Sequence, residues 1–198
     1  MDINGKKAIV FGGTSGIGLS ATQMLSDKGA HVIALSRNPD KFKNVPQNVT
    51  TKKMNVLDRD ALEKFFQEVG EYDILVNSAT GGARAVGPFL SMDLDGYRAS
   101  FDKLWGYTNV VRYGTKFLKD NGNIVLVSGS PARKCRPGQI AISSVGGAVE
   151  AFARGIAPEI APKRINIVSP GIIDTPMSPL QGKELSLIHI SEPTRRYR

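Results

Sequence analysis

Six short runs rich in β-branched and apolar residues recur along the chain, with helix-like segments or short links between them. Residues 8–11 (AIVF), 31–35 (HVIAL), 49–54 (VTTKKM), 73–76 (DILV), 123–127 (NIVLV) and 164–168 (RINIV) read as strands. Residues 18–28, 58–69, 94–119 and 143–160 carry helical patterns. Most of the strand runs do not alternate apolar with polar residues, as strands buried on both faces require. Strand–helix alternation with short links therefore predicts a parallel sheet covered by helices on both sides.

Right-handed crossovers convert that order into an α/β, doubly wound, Rossmann-type sheet with three α/β/α layers. The length of 198 residues suits one core. We expect a single dinucleotide-binding domain over residues 1–184. No apolar run reaches the length of a membrane span, and the first residues, MDINGKKAIVF, leave no room for a cleavable leader. The one cysteine, Cys135, excludes an internal disulfide framework, and with two histidines no metal cluster is expected. These features together predict a cytoplasmic protein that neither enters a membrane nor holds a metal.

The formal charge is +8, but the last residues inflate it. LSLIHISEPTR, residues 185–195, resembles the translated end of a sequencing-library adapter, and residues 185–198 are expected to be a non-native tail on a C-terminally truncated chain. Setting aside their three arginines and one glutamate leaves 23 basic and 17 acidic residues, net +6. Those charges are scattered, so nucleic acid is not an expected partner.

In a doubly wound sheet the ligand binds beyond the carboxyl ends of the strands. After the first strand comes GGTSGIG, residues 12–18. Gly12, Gly16 and Gly18 let the backbone approach a pyrophosphate at a helix N-terminus, with Thr14, Ser15 and Ile17 between them. After the second strand come Ser36 and Arg37, where an acid would bind a ribose diol. With no acid there and a guanidinium beside it, the site is expected to prefer NADP(H) to NAD(H).

From about Lys6 to Met177 the chain resembles the short-chain dehydrogenase/reductase family. GGTSGIG is similar to the family's three-glycine turn, and NSATG (residues 77–81) to its NNAG motif. Asn55-Val56 stands where an acidic–apolar pair usually holds adenine. RINIVSPGIIDTPM (residues 164–177) is similar to the sixth strand and the PG-x-x-x-T segment. The resemblance implies that Asn55, Val56, Asn77, Ala79, Ile172 and Thr175 complete the cofactor site, the last two beside the nicotinamide amide. It also implies hydride transfer to or from a small carbonyl or alcohol, in a homodimer or homotetramer.

The same resemblance leaves the family's catalytic roles vacant. Aligning GQIAISSVGGAVEAF, residues 138–152, with the Y-x-x-x-K-A-A-V pattern puts Ile142 at the tyrosine and Gly146 at the lysine. Thirteen residues earlier, Gly129 stands at the serine position, and Lys103 stands where the supporting asparagine belongs. The remaining candidates are Ser128 and Ser130, which flank Gly129, and Lys103, whose pKa burial would lower. Arg133, Lys134 and Arg136 in the following loop, with Lys103, are expected to favour an anionic substrate. Two outcomes stay open: an oxidoreductase with an altered or impaired site, or a catalytically silent dinucleotide-binding protein acting as a sensor or oligomer partner.

Overall fold

β1 (Lys7–Phe11), β2 (His31–Ser36), β3 (Val49–Lys53), β4 (Tyr72–Asn77), β5 (Leu118–Val127) and β6 (Arg164–Val168) form one parallel sheet in the order β3-β2-β1-β4-β5-β6. This is a computed structural model and it describes residues 2–80 and 83–176. Gly81 of the NSATG stretch, Met177 of the RINIVSPGIIDTPM stretch and residues 178–198, which include the expected 185–198 tail, lie outside the described residues. Chain order runs outward from β1 to β3 and then returns to β4 on the other side of β1. The reversal opens a crevice at the carboxyl ends of β1 and β4, where a doubly wound sheet holds its ligand.

Among the described residues the α-helices are α1 (Gly16–Asp27), α2 (Arg59–Val69), α3 (Leu94–Ala99), α4 (Asp102–Gly114) and α5 (Ile140–Ile156). Neighbouring residues of β1 feed opposite layers, as the two-residue period of a strand demands. Ile9 and Phe11 join Phe65 and Phe66 of α2, Tyr107 and Val110 of α4, and Val149 of α5. Ala8 and Val10 join Val32, Val76 and, from α1, Leu19 and Leu25. Each fully buried side chain of this size contributes about 1.5–3 kcal/mol, so the two half-cores hold both helical layers to the sheet. β6 lies at the sheet edge and leaves Val168 half exposed. No helix among the described residues is long and apolar enough to cross a membrane.

The expected single helix over residues 94–119 is broken twice. At the first break Ser100 Oγ donates back to the Gly96 carbonyl and accepts the Ala85 N–H, both at 2.9 Å. A side chain that serves its own helix and a neighbouring loop lets the chain turn between α3 and α4. The second break follows Gly114, against which Phe66 and Tyr72 pack so closely that a Cβ there would meet both rings. The Tyr72 hydroxyl donates to the Gly114 carbonyl at 3.0 Å. A short 3-10 turn (Thr115–Phe117) then leads into β5, which begins at Leu118. Tertiary packing of the Tyr72 ring, absent from any local pattern, ends the helix early.

α2 shows local signals that agree with the fold. The Asp58 carboxylate accepts the Ala61 N–H at 3.0 Å, and Gly70 stops the helix at φ 64°. The cap contributes about 1 kcal/mol.

Candidate functional site

The glycine turn stands at the crevice. Gly12 follows β1 with φ 75°, and a Cβ on it would lie 2.7 Å from Ser78 Oγ and 2.9 Å from the Ala79 nitrogen. Gly18 packs against the Gly12 carbonyl and Ser78 Oγ with no space for a Cβ. Gly16 has φ 52°, and its missing Cβ would lie 3.4 Å from Thr175. Thr175, from the far end of the sequence, thus sits against the turn. Ser15 is the N-cap of α1, yet its side chain makes no capping hydrogen bond. An uncapped helix start behind a bare-backbone turn is what an anionic pyrophosphate fits.

Thr14 is buried and donates to Ser36 Oγ at 2.8 Å, and the Asn38 N–H donates to the same oxygen at 3.2 Å. These bonds tie the glycine turn to the end of β2 and set the exposed Arg37 beside it. Asn55 Oδ1 accepts the Leu57 N–H at 3.1 Å, which leaves its amide nitrogen as the polar group for a ligand. Val56 is buried under α4: its carbonyl accepts from Asn109 Nδ2 at 3.1 Å, and Gly106 admits its side chain. Asn109 and Gly106 carry no motif signal and were not expected as supports of Val56.

Asn77, paired with Phe11 across β4 and β1, is fully buried. Its Oδ1 accepts the Ala79 N–H at 3.1 Å, while its Nδ2 has no partner. A buried donor left unmatched costs about 1–3 kcal/mol, so the floor of the crevice keeps an unmet donor for a water or an oxygen-rich ligand. Ile172 is half-buried in the segment after β6 that carries Thr175.

The expected catalytic candidates come from the loop after β5 and from α4. Ser128 and Ser130 follow β5, and their N–H groups donate to the Val168 and Pro170 carbonyls at 2.8 Å, which ties this loop to the end of β6. The two hydroxyls differ. Ser128 Oγ is buried and donates to the Gly146 carbonyl at 3.1 Å, holding α5 to the sheet. Among the described residues no hydroxyl bond of that kind commits Ser130, which is half-buried. Lys103 of α4 is half-buried; its Nζ donates to the Ser128 carbonyl at 3.4 Å and lies 5.4 Å over the Tyr107 ring. Burial, and secondly the charge of Arg84, lower its pKa to about 8.

Ile142 and Gly146 lie one turn apart on α5, Ile142 half-buried and Gly146 buried. A Cβ on Gly146 would stand 2.9 Å from Ala132 Cβ and 3.2 Å from Ser128 Oγ. The space through which a lysine would leave the helix is thus filled by the loop after β5. Gly146→Lys should therefore destabilise the fold by about 1–3 kcal/mol through overpacking. Part of that loss should return in Ala132→Gly/Gly146→Lys, measured by urea melts; equal stability of Gly146→Lys and the parent would contradict the contact.

Two buried tyrosines are no substitute acids. Tyr107 donates to the Val127 carbonyl at 2.9 Å and Tyr72 to Gly114, and burial raises both pKa values far above the usual phenol range. Tyr97 of α3, missed in the sequence, is half-buried and donates to Ser144 Oγ of α5 at 2.9 Å. It lines an open cleft of about 760 Å³ with Pro88, Phe89, Arg136 and Ile140. That cleft borders α3 and the start of α5 rather than the glycine turn, so the turn, and not this cleft, marks the place for a dinucleotide.

The basic loop after β5 is not a uniform anion patch. Arg133 Nε donates to Glu150 Oε2 at 3.0 Å, and Ser169 Oγ donates to Glu150 Oε1 at 2.7 Å. The Ser169 bond chiefly, then Arg133 and Arg154, outweigh desolvation and hold the Glu150 carboxyl below the usual range. Arg133 thus anchors the loop to α5 rather than facing a substrate.

Comparisons with known proteins agree with this geometry. The sequence profile described as short chain dehydrogenase matches residues 6–185. A 3-oxoacyl-[acyl-carrier-protein] reductase of Thermotoga maritima is 31% identical over 209 residues, spanning 96% of this chain and 84% of the relative. A 2,3-dihydro-2,3-dihydroxybenzoate dehydrogenase of Bacillus subtilis is 31% identical over 191 residues, spanning 88% and 72%. Among solved structures, a short chain dehydrogenase from Burkholderia cenocepacia in complex with NADP superposes with a TM-score of 0.83 at 28% identity, covering 90% of this chain and 77% of that one.

Proposed function

The chain belongs to the short chain dehydrogenase family, and we propose that it is an NADP(H)-dependent oxidoreductase in which Lys103 takes over the proton-transfer role of the absent tyrosine. The observation that carries this reading is the place of the Lys103 ammonium, 3.4 Å from the Ser128 carbonyl at the carboxyl end of β5. The reading draws support from the relatives above, which are named as reductases or dehydrogenases, and from the NADP held by the Burkholderia structure.

Gly12, Gly16 and Gly18 would hold the pyrophosphate, Ser36 and Arg37 the 2′-phosphate, and Asn55 and Val56 the adenine. Asn77, Ala79, Ile172 and Thr175 would frame the nicotinamide end. The bound dinucleotide supplies the hydride. Lys103 gives its proton to the carbonyl oxygen as negative charge develops there, and becomes a neutral amine. Ser130 hydrogen-bonds the same oxygen and orients it, while Ser128 holds α5 in place through Gly146. The substrate is a small carbonyl or alcohol, and the chain acts in the cytoplasm as a homodimer or homotetramer.

A second reading, a silent dinucleotide-binding protein, is favoured by one observation: Ala132 fills the exit of the side chain that Gly146 lacks. Both readings require the cofactor, so binding is tested first. In a fluorescence titration NADPH should bind at micromolar concentration and NADH about tenfold or more weaker. Arg37→Ala should remove most of that difference, since a charge-assisted bond to phosphate contributes about 1.5–3 kcal/mol. A folded chain that binds neither nucleotide would end both readings.

A further inference from the structure

One buried carboxylate joins three elements of the fold. Glu150 is buried on α5, one turn after Gly146 and on the same face of the helix. Its Oε1 accepts the Ser169 hydroxyl at 2.7 Å, and its Oε2 accepts Arg133 Nε at 3.0 Å. Ser169 is the first residue after β6 and opens the segment that leads to Ile172 and Thr175. Arg133 lies in the loop after β5, three residues beyond Ser130. The two holds are unequal. Arg133, and Arg154 at 4.0 Å from Oε2, are mostly exposed, so solvent screens their charge. The Ser169 bond is shorter and lies against the buried oxygen. An apolar side chain of the same volume would avoid the desolvation cost of this carboxylate. What Glu150 adds is direction: it fixes where Ser169 and Arg133 stand.

We propose that Glu150 is a positioning residue for the nicotinamide half of the cofactor site, holding the Thr175 segment and the Ser130 loop in one frame against α5. Thr175 is the far end of that frame: its Cβ lies 3.4 Å from where a Cβ on Gly16 would stand. A shift that starts at Ser169 is therefore passed along six residues to the wall of the glycine turn. The backbone bonds from Ser128 and Ser130 to the Val168 and Pro170 carbonyls pass it to the other loop as well. The adenosine half is built elsewhere. Ser36, Arg37, Asn55 and Val56 follow β2 and β3, and the bonds and ion pairs given for Glu150 involve none of them. The role rests on the dinucleotide reading, and it predicts that the two halves of the cofactor respond differently when Glu150 is changed.

The test is calorimetric titration of the full chain with NADPH and with adenosine 2′,5′-bisphosphate, which carries the adenosine half and its 2′-phosphate but no nicotinamide. Glu150→Gln keeps the shape and removes the charge. It should weaken NADPH about tenfold, the share of one charge-assisted hydrogen bond, and leave the bisphosphate within about twofold. Ser169→Ala, which leaves the carboxylate in place, should repeat that split, and more strongly than Arg133→Met. In amide hydrogen exchange, NADPH should slow residues 130–134 and 169–175 of the parent together. In Glu150→Gln both stretches should lose that slowing while residues 12–18 keep it. Glu150→Gln and Ser169→Ala that bind NADPH like the parent would overturn the role. Equal weakening of both ligands would do the same, since a general loss of structure produces it. A parent that binds the bisphosphate and NADPH alike, with no slowing at 169–175, removes the role and leaves the adenosine site standing. A folded parent that binds neither ligand ends the dinucleotide reading and the role together.

Discussion

Lys103→Met should lower NADPH-dependent carbonyl reduction by about a hundred- to ten-thousand-fold, the usual contribution of a positioned general acid, while NADPH affinity changes only a few-fold. The expectation follows from a side chain that can lose a proton near neutral pH, with a pKa of about 8, beside the end of β5. Reduction consumes the ammonium proton, so kcat should be level below pH 8 and fall as pH rises through that value. Lys103→Arg separates two roles. A guanidinium keeps the charge but does not release a proton in this range, so an acid role predicts loss and a purely electrostatic role predicts retention. A Lys103→Met enzyme that turns over at the parent rate would remove Lys103 from the mechanism.

The same residue has a stability signature, and its sign is fixed by linkage. The folded pKa lies below the ordinary 10.5, so between pH 8 and 10.5 the unfolded chain binds more protons than the folded one. Stability should therefore rise with pH over that window. Below pH 8 both states carry the charge, and the folded state bears its full burial cost. Lys103→Met should consequently be more stable than the parent at pH 7, by of order 1–3 kcal/mol, and the gap should narrow by pH 10. Urea melts at the two pH values measure it; an unchanged gap would mean the ammonium is solvated.

Gly18→Ala should abolish measurable dinucleotide binding and cost more than about 2 kcal/mol of stability, at the upper end of overpacking effects. The added methyl would collide with the Gly12 carbonyl and Ser78 Oγ, and these belong to the two strand ends that bound the crevice. Gly12 and Ser78 cannot both give way, because Gly12 N–H donates to the Leu35 carbonyl and Ser78 N–H to the Phe11 carbonyl. Gly147→Ala and Gly155→Ala on α5 supply the control, since nothing lies within 4 Å of either missing Cβ. Each should raise stability by about 0.5–1 kcal/mol through helix propensity and leave binding unchanged. Gly18→Ala that binds NADPH like the parent would mean the turn opens more easily than its contacts allow.

The runs of β1, β2 and β4 were legible because burial on both faces leaves a nearly unbroken apolar signal of the right length. Helix ends were less so. A continuous helical pattern from Leu94 to Lys119 gives no hint that Ser100 is shared with Ala85, or that Tyr72 takes the Gly114 carbonyl. The glycine turn was legible because its residue types follow from backbone geometry that only glycine adopts cheaply. The division of labour between Ser128 and Ser130 was not: adjacent hydroxyls look alike until one is seen bonded to Gly146. Arg133 looked like a substrate contact because its partner, Glu150, stands on a distant stretch of chain.

The sequence by itself determined the parallel sheet, the crevice at the reversal of strand order and the bare-backbone turn that faces it. These follow from periodicity and from residues whose local conformational limits are strong. Only the tertiary structure decided what surrounds Gly146 and Lys103: Ala132 and Ser128 against Gly146, and the Ser128 carbonyl and the Tyr107 ring against the Lys103 ammonium. Each of those depends on contacts between separate elements, where the energy lies in packing and burial, and no local pattern of residues carries that information.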